Sequence, residues 1–151
     1  MANQEVKIIE SRLGKREIRL DQIIFFPRGI IGFEDMHEFI LLQIQENAPL
    51  LVLQSIEKSS LGLLVADPFV FIPEYTLHIG DAEQKLLQAE NAEELAVLVT
   101  ASIPPGKPEE TALNLLGPIL INHRAHLGLQ VPQIDMGGPA RMFVRSKMLE
   151  S

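Results

Sequence analysis

The sequence predicts a mainly β fold, a small antiparallel β-barrel-like or folded-over sheet with one short helix. Apolar, β-branched and aromatic residues come in runs of about four to eight residues separated by turn-forming residues, the pattern of short strands. The central runs are almost continuous in Leu, Val and Ile, which indicates that both faces of their strands are covered. With 151 residues, of which 46% are hydrophobic, the chain suits one globular domain with a sizeable core.

The N-terminal runs predict a half-buried edge hairpin. Residues 6–9 and 17–20 flank a polar stretch that ends in a glycine, and Ile18 and Leu20 share one face of the second strand. Residues 23–26 form the next strand. We expect it to end in a turn, because a proline and two glycines follow.

Three further strands form a predicted meander, and turn-favouring residues separate them. These strands cover residues 39–44, 50–56 and 61–66. Prolines then precede residues 69–71 and 75–79, so we expect these two segments to be edge strands or bulged corners.

The second half of the chain predicts the one helix and the closing strands. Asp81 can cap a helix and Gln84 follows three residues later, so a short helix should run to about Ala89. Residues 91–94 predict a second capped turn. The remaining strands are expected over residues 95–103 and 128–131, with two core segments at 111–116 and 118–122 and a proline-rich loop at 104–108.

A change in composition after Pro132 defines the predicted domain organisation. We expect a single β domain over residues 1–132 and a C-terminal hinge and basic tail over residues 133–151. The Gly-Gly-Pro at 137–139 marks the hinge. The tail carries Arg141, Arg145 and Lys147, and we expect it either to be mobile or to dock as a short helix.

Composition excludes several classes of function. With 20 acidic and 13 basic residues the net charge is -7, the wrong sign for binding a nucleic-acid backbone directly. The absence of cysteine removes disulfides, thiolate nucleophiles and cysteine-ligated zinc. The N-terminus lacks signal-peptide features, and no apolar run approaches the roughly 18–20 residues that span a bilayer. We expect a monomeric cytoplasmic protein with no membrane contact.

No motif for chemistry stands out, so the sequence predicts no catalytic residue, no cofactor and no metal. His123-x-x-His126 has metal-ligand spacing, but it lies outside any predicted helix and no third His is near. Gly29 and Gly32 lack the third glycine of a dinucleotide site. The alternative that remains open is a small-ligand-binding or hydrolytic β-barrel that uses its interior or the rim at 93–94.

Acidic residues are concentrated in the middle of the chain. Residues 22–110 contain 14 acidic and four basic side chains, and Glu93 and Glu94 are adjacent among them. Such a face would steer a basic protein partner towards it. A solvated face whose charge only maintains solubility is the other interpretation.

Five segments of the chain resemble the bacterial flagellar assembly factor family called FliW. They are FFPRGIIGFE at 25–34, FILL at 39–42, PLLVLQSIE at 49–57, DPFVF at 67–71, and NLLGPILIN at 114–122 followed by GLQV at 128–131. They occur in the order and spacing of the family, and the resemblance covers about residues 5–132. It implies a β-barrel-like fold, a cytoplasmic location and no enzymatic activity.

The resemblance also implies two partners, flagellin and an RNA-binding translational regulator of the carbon storage type. While flagellin is bound, the regulator is free to repress flagellin mRNA. When flagellin is exported, the assembly factor captures the regulator and relieves the repression. Capture would weaken RNA binding from outside the RNA site, which suits an acidic protein placed beside a basic groove.

Seven residues are candidates for partner binding: Gly29, Gly32, Phe33, Glu93, Glu94, Asn114 and Asn122. Each also has a structural interpretation. The glycines can satisfy a turn that needs positive φ, and Phe33 can fill the core beneath it. The two asparagines can bond backbone groups at strand ends instead of facing a partner.

Overall fold

The computed structural model describes residues 5–46, 48–133 and 140–144, and within these ranges the chain is mainly β. The strands are β1 (Val6–Ser11), β2 (Gly14–Arg19), β3 (Ile24–Phe25), β4 (Glu38–Gln43), β5 (Leu50–Ser55), β6 (Gly62–Ala66), β7 (Ala96–Ser102), β8 (Ala112–Asn114), β9 (Ile119–Asn122), β10 (Leu127–Gln130) and β11 (Arg141–Phe143). The helices are α1 (Pro68–Phe71) and α2 (Asp81–Leu86), and 3-10 turns lie at Leu20–Gln22, Ala92–Glu94 and Pro108–Glu110.

Seven of the strands form a closed barrel, which confirms the predicted fold class. The order around the barrel is β7-β6-β5-β4-β3-β10-β9, and the ring closes because β7 also pairs with β9. All pairs are antiparallel except β3 with β10, which is parallel. The expectation of a single helix is corrected, since two short α-helices and three 3-10 turns occur in the described ranges.

Strand β7 pairs with three different strands along its length. Its first residues, 96–98, pair with β9, and residues 99–100 pair with β6. Its last residues, 101–102, leave the barrel and pair with β8, which in turn pairs with β11. The barrel therefore continues into a three-stranded sheet formed by β7, β8 and β11.

The central strands are covered on both faces, as the continuous apolar runs predicted. Inside the barrel, Phe26 and Phe39 are fully buried and their rings meet edge to face. Outside the barrel, Ile40 and Val52 pack against Ile18 of the β1–β2 hairpin. Burying a side chain of this size contributes about 1.5–3 kcal/mol, so the hairpin stabilises the barrel from outside.

A buried glutamine connects the hairpin to the barrel. The side-chain oxygen of Gln54, a fully buried residue, accepts a hydrogen bond from the backbone N–H of Arg12 at 3.0 Å. Its amide nitrogen donates to the carbonyls of Ser55 and Ser59 at 3.0 Å each. The Arg12 guanidinium also donates to the carbonyl of Gly62.

The prediction of edge strands or bulged corners between β6 and α2 is wrong. Residues 68–71 form helix α1 because the Asp67 carboxylate accepts a hydrogen bond from the N–H of Phe69 and proline occupies the first turn. Residues 75–79 make no strand pairing. Instead, Tyr75 is buried and its hydroxyl donates to the carbonyl of Leu115 at 2.8 Å.

Helix α2 begins where the sequence predicted but is shorter than expected. Gly80 is its N-cap, and the Glu83 carboxylate accepts from the Gly80 N–H at 3.2 Å, so Asp81 and Gln84 do not form the predicted cap. The helix ends before Ala89 because Gln88 adopts a φ of +54°. The predicted capped turn at 91–94 is present as the second 3-10 turn.

The described part of the predicted tail joins the fold. Gln133 is buried and exchanges hydrogen bonds with the backbone of His78. Residues 141–143 form β11 instead of a short helix, and Val144 is 2% exposed. The predicted hinge at 137–139 and residues 145–151 lie outside the described residues. In the part of the chain that the structure describes, no helix is long and apolar enough to cross a membrane.

Candidate functional site

The turn after β3 presents two apolar side chains to solvent. Gly29 and Gly32 have φ values of +64° and +91°, which glycine adopts at no steric cost. The N–H of Phe33 donates to the carbonyl of Ile30 at 2.7 Å, which closes the turn. As a result, Ile31 is 57% exposed and Phe33 is 37% exposed.

Gln130 of β10 holds this turn against the connection between β8 and β9. Its side-chain oxygen accepts a hydrogen bond from the N–H of Ile31 at 2.9 Å. Its amide nitrogen donates to the carbonyl of Gly117 at 3.0 Å. One side chain therefore fixes the distance between two segments that are far apart in sequence.

A groove of about 340 Å³ lies between these two segments, and we call it the turn groove. Its apolar walls come from Ile31, Phe33, Leu63 and Leu116. Its polar groups come from Thr100, Asn114 and Gln130. Exposed apolar side chains gathered beside polar groups are typical of protein-binding surfaces.

The structure brings four of the seven predicted residues to the turn groove. Gly29 and Gly32 shape the turn, while Phe33 and Asn114 line the groove. Asn114 also has the predicted backbone role, because its side-chain oxygen accepts from the N–H of Leu116 at 3.0 Å. Partner contact through these residues stays a prediction.

The other three predicted residues lie at a second place, around the 3-10 turn Ala92–Glu94. Asn122 is 1% exposed; its amide donates to the carbonyl of Leu87 at 2.8 Å, and its oxygen accepts from the N–H of Arg124 at 3.1 Å. A side chain so enclosed offers no atom to a partner. Its role in this structure is to join β9 to the end of α2.

Glu93 and Glu94 differ in their surroundings. The Glu94 carboxylate accepts hydrogen bonds from the N–H groups of Glu90 and Asn91 and lies 3.9 Å from the Arg124 guanidinium. Glu93 is exposed, and its carboxylate has no hydrogen bond or ion pair within the described ranges. The Glu93 carboxylate is therefore free to meet a partner, while the Glu94 carboxylate stabilises the turn.

The two histidines of the H-x-x-H pair lie on either side of the β9–β10 turn. His123 and His126 line a depression of about 300 Å³ together with Arg19 and Asp21. Among the described residues, no three His, Asp or Glu side chains are grouped so that they could hold a metal ion. His126 has a φ of +56°, and its carbonyl accepts from the N–H of Phe25.

The Glu57 carboxylate, beside the start of β4, has a perturbed pKa. The backbone N–H groups of Glu38 and His37 donate to the Glu57 carboxylate at 2.8 and 2.6 Å. These hydrogen bonds favour the charged form and lower the pKa of Glu57 below its ordinary value. Glu57 thereby ties the start of β4 to the end of β5.

Comparison with known proteins decides the family. The family model described as FliW protein matches residues 7–142. The chain belongs to the FliW family. Proteins named flagellar assembly factor FliW from Nitratidesulfovibrio vulgaris (strain DP4) and Desulfovibrio desulfuricans are 57% and 49% identical to it. Each alignment covers 95% of this chain, and it covers 83% and 87% of the respective relative.

A solved structure agrees with this assignment. The crystal structure of the flagellar assembly factor FliW superposes with a TM-score of 0.84 at 29% identity, covering 91% of this chain and 96% of that one. The family membership makes this chain a flagellar assembly factor. The predicted resemblance to the family is confirmed.

Several residues of the turn groove were not identified from the sequence. Leu63 and Thr100 lie in separate strands, and only barrel closure brings them beside the turn. Leu116 was within a segment that resembles the family, but nothing in its spacing set it apart. Gln130 carried a usable signal, because it is a polar residue within a short apolar strand.

Proposed function

We propose that this flagellar assembly factor is a non-enzymatic binding protein with two exchanging partners. It binds flagellin through the turn groove. When flagellin has left, it captures an RNA-binding translational regulator of the carbon storage type through the acidic surface at 92–94. The exchange takes place in the cytoplasm, where mRNA is translated, and needs no cofactor.

The observation that carries the flagellin assignment is the exposure of Ile31 and Phe33 over a groove with fixed walls. Apolar anchors that fill a preformed groove supply most of the energy of a protein interface. The groove is preformed because Gln130 bonds both of its sides. Little conformational entropy is therefore lost when a partner binds.

The acidic surface supports the second partner. Glu93 is exposed on a turn whose shape Glu94 and Asn91 maintain, so the backbone that carries its charge is held in place. The chain as a whole carries a net charge of -7. Such a charge distribution speeds the association of a basic protein and repels an acidic one.

The packing of the barrel disfavours the alternative of a ligand-binding or hydrolytic barrel. A barrel of about eight strands is just wide enough to be filled by its own side chains. Here Phe26, Phe39, Leu53 and Ile119 fill the interior and are fully buried. A thermal-shift screen with metabolites and metal ions tests this, because a specific ligand would raise the melting temperature.

The groove assignment is tested with a matched pair of isoleucines. Ile31→Ser should weaken flagellin binding at least tenfold, since it removes an exposed apolar anchor at the groove. Ile8→Ser is the control, because Ile8 is 69% exposed on the hairpin. Binding is measured by isothermal titration calorimetry with flagellin from the bacterium that encodes the chain. Equal affinities of the two variants would contradict the groove assignment.

The acidic surface is tested with a matched pair of glutamates. Glu93→Lys should slow association with the regulator and flatten its dependence on salt. Glu17→Lys is the control, because Glu17 is exposed on β2. Glu94 is left intact, since its loss would also disrupt the turn. Stopped-flow association rates that are the same for both variants would show that this surface does not steer the regulator.

A further inference from the structure

The turn groove continues onto the outer face of the sheet formed by β7, β8 and β11. Thr100 and Asn114 line the turn groove and also a neighbouring depression of about 370 Å³, so the two are continuous. The second depression is lined in addition by Ser102, Ala112 and Arg141. The surface available to a partner is therefore longer than the turn groove alone.

Strand register determines which side chains share this outer face. Ser102 pairs with Ala112, which pairs with Phe143, so these three residues form one row across the sheet. Asn114 and Arg141 form the next row on the same face, two residues along their strands. The residues between them, including Leu113, point to the opposite face and pack into the core.

The outer face ends in one cation and one aromatic ring. Phe143 is 62% exposed on the last strand of the sheet. Arg141 is exposed, and none of the ion pairs between described residues includes it. The carboxylate of Glu34, in the turn after β3, accepts a hydrogen bond from the N–H of Gly32 at 2.9 Å. The end of the extended surface at β11 is therefore basic.

We propose that the outer face of β8 and β11 is the second half of the flagellin site and receives an acidic segment of flagellin. Arg141 pairs with a carboxylate of that segment, and Phe143 packs against a neighbouring apolar side chain. The inference rests on the proposed binding of flagellin in the turn groove. It adds a requirement for negative charge on the bound segment at the end nearest β11.

Charge complementarity selects flagellin over the regulator as the occupant. A basic regulator would meet a like charge at Arg141, which disfavours it at this face. The acidic turn at 92–94 has the opposite preference. The two partners are then sorted by charge onto different surfaces of one small protein.

The experiment compares charge and ring variants with a control from the hairpin. Arg141→Glu should weaken flagellin binding at least tenfold and reduce its dependence on salt, while Arg141→Gln should have a smaller effect. Phe143→Ser should weaken binding several-fold without changing the salt dependence. Lys15→Glu is the control, because Lys15 is exposed on β2. Urea unfolding of each variant verifies that the fold is retained.

The possible outcomes separate this inference from the proposed function. Normal flagellin binding by the Arg141 and Phe143 variants, alongside weakened binding by Ile31→Ser, would overturn the inference and leave the turn groove intact. Absence of flagellin binding by the unmodified protein would overturn both. Regulator binding should be unchanged in Arg141→Glu. An equal loss of both partners would indicate general disruption and would also overturn the inference.

Discussion

Replacing Gly29 or Gly32 by alanine tests how the turn groove is supported. Both glycines have positive φ, which costs an alanine about 1–2 kcal/mol. They differ in their surroundings. A Cβ at Gly29 would lie 2.7 Å from the carbonyl oxygen of Phe33 and 2.6 Å from that of Glu34. A Cβ at Gly32 would have no atom within 4 Å.

The difference between the two variants isolates the steric cost. Gly32→Ala should lower the free energy of unfolding by about 1–2 kcal/mol, through backbone strain alone. Gly29→Ala should lower the free energy of unfolding by about 1–3 kcal/mol more than Gly32→Ala does. The added Cβ would clash with two backbone oxygen atoms, which cannot rotate away. Flagellin binding should fall further in Gly29→Ala, since the turn that carries Phe33 must shift.

Urea unfolding monitored by circular dichroism measures both variants, and a lower midpoint at an unchanged slope reports a change in stability. In thermal unfolding, each kcal/mol corresponds to about 2–4 °C for a chain of this size. Equal losses in the two variants would refute the steric argument. A larger loss in Gly32→Ala would show that the turn has a different conformation.

Two further predictions concern the hydrogen bonds made by the side chains of Gln54 and Glu57. Gln54→Leu should lower the free energy of unfolding by about 2–4 kcal/mol in urea experiments, because the buried carbonyl of Ser55 and the N–H of Arg12 lose their hydrogen bonds. The second prediction is that acid weakens the fold through Glu57, whose pKa is lowered in the folded state. The stabilisation that Glu57 contributes is complete above the pKa that this residue has in the unfolded chain. It disappears as the pH falls through the pKa that Glu57 has in the folded protein. Urea midpoints measured from about pH 5 to pH 3 should therefore decline less steeply in Glu57→Gln than in the unmodified protein.

Local patterns in the sequence were sufficient for most strands but not for the segments around prolines. Residues 69–71 read as a strand because aromatic and β-branched residues dominate them. However, Asp67 followed by a proline is also a helix start, and that capping interaction decided the outcome. Residues 75–79 have the composition of a strand. However, the Tyr75 hydroxyl donates a hydrogen bond to the carbonyl of Leu115, in the connection between β8 and β9.

Pairings between distant segments could not be predicted from local patterns. The closing pair of β7 with β9 and the parallel pair of β3 with β10 depend on how the whole sheet curls. Strand β11 has three residues, and among the described strands it pairs with β8, which is distant in sequence. For the same reason, the sequence predicted only part of the candidate site. The turn after β3 and Asn114 were identified, but the groove that they share arises from barrel closure.

Strand β7 limits how the family can vary in length. Its first half completes the barrel and its last residues begin the sheet that carries the proposed binding face. Because side chains alternate between faces, one inserted residue within Ala96–Ser102 would turn buried residues such as Leu98 towards the wrong side. The loop at 105–107, whose residues are exposed, carries no such restriction. Insertions and deletions among relatives should therefore accumulate at residues 105–107 and be absent from β7.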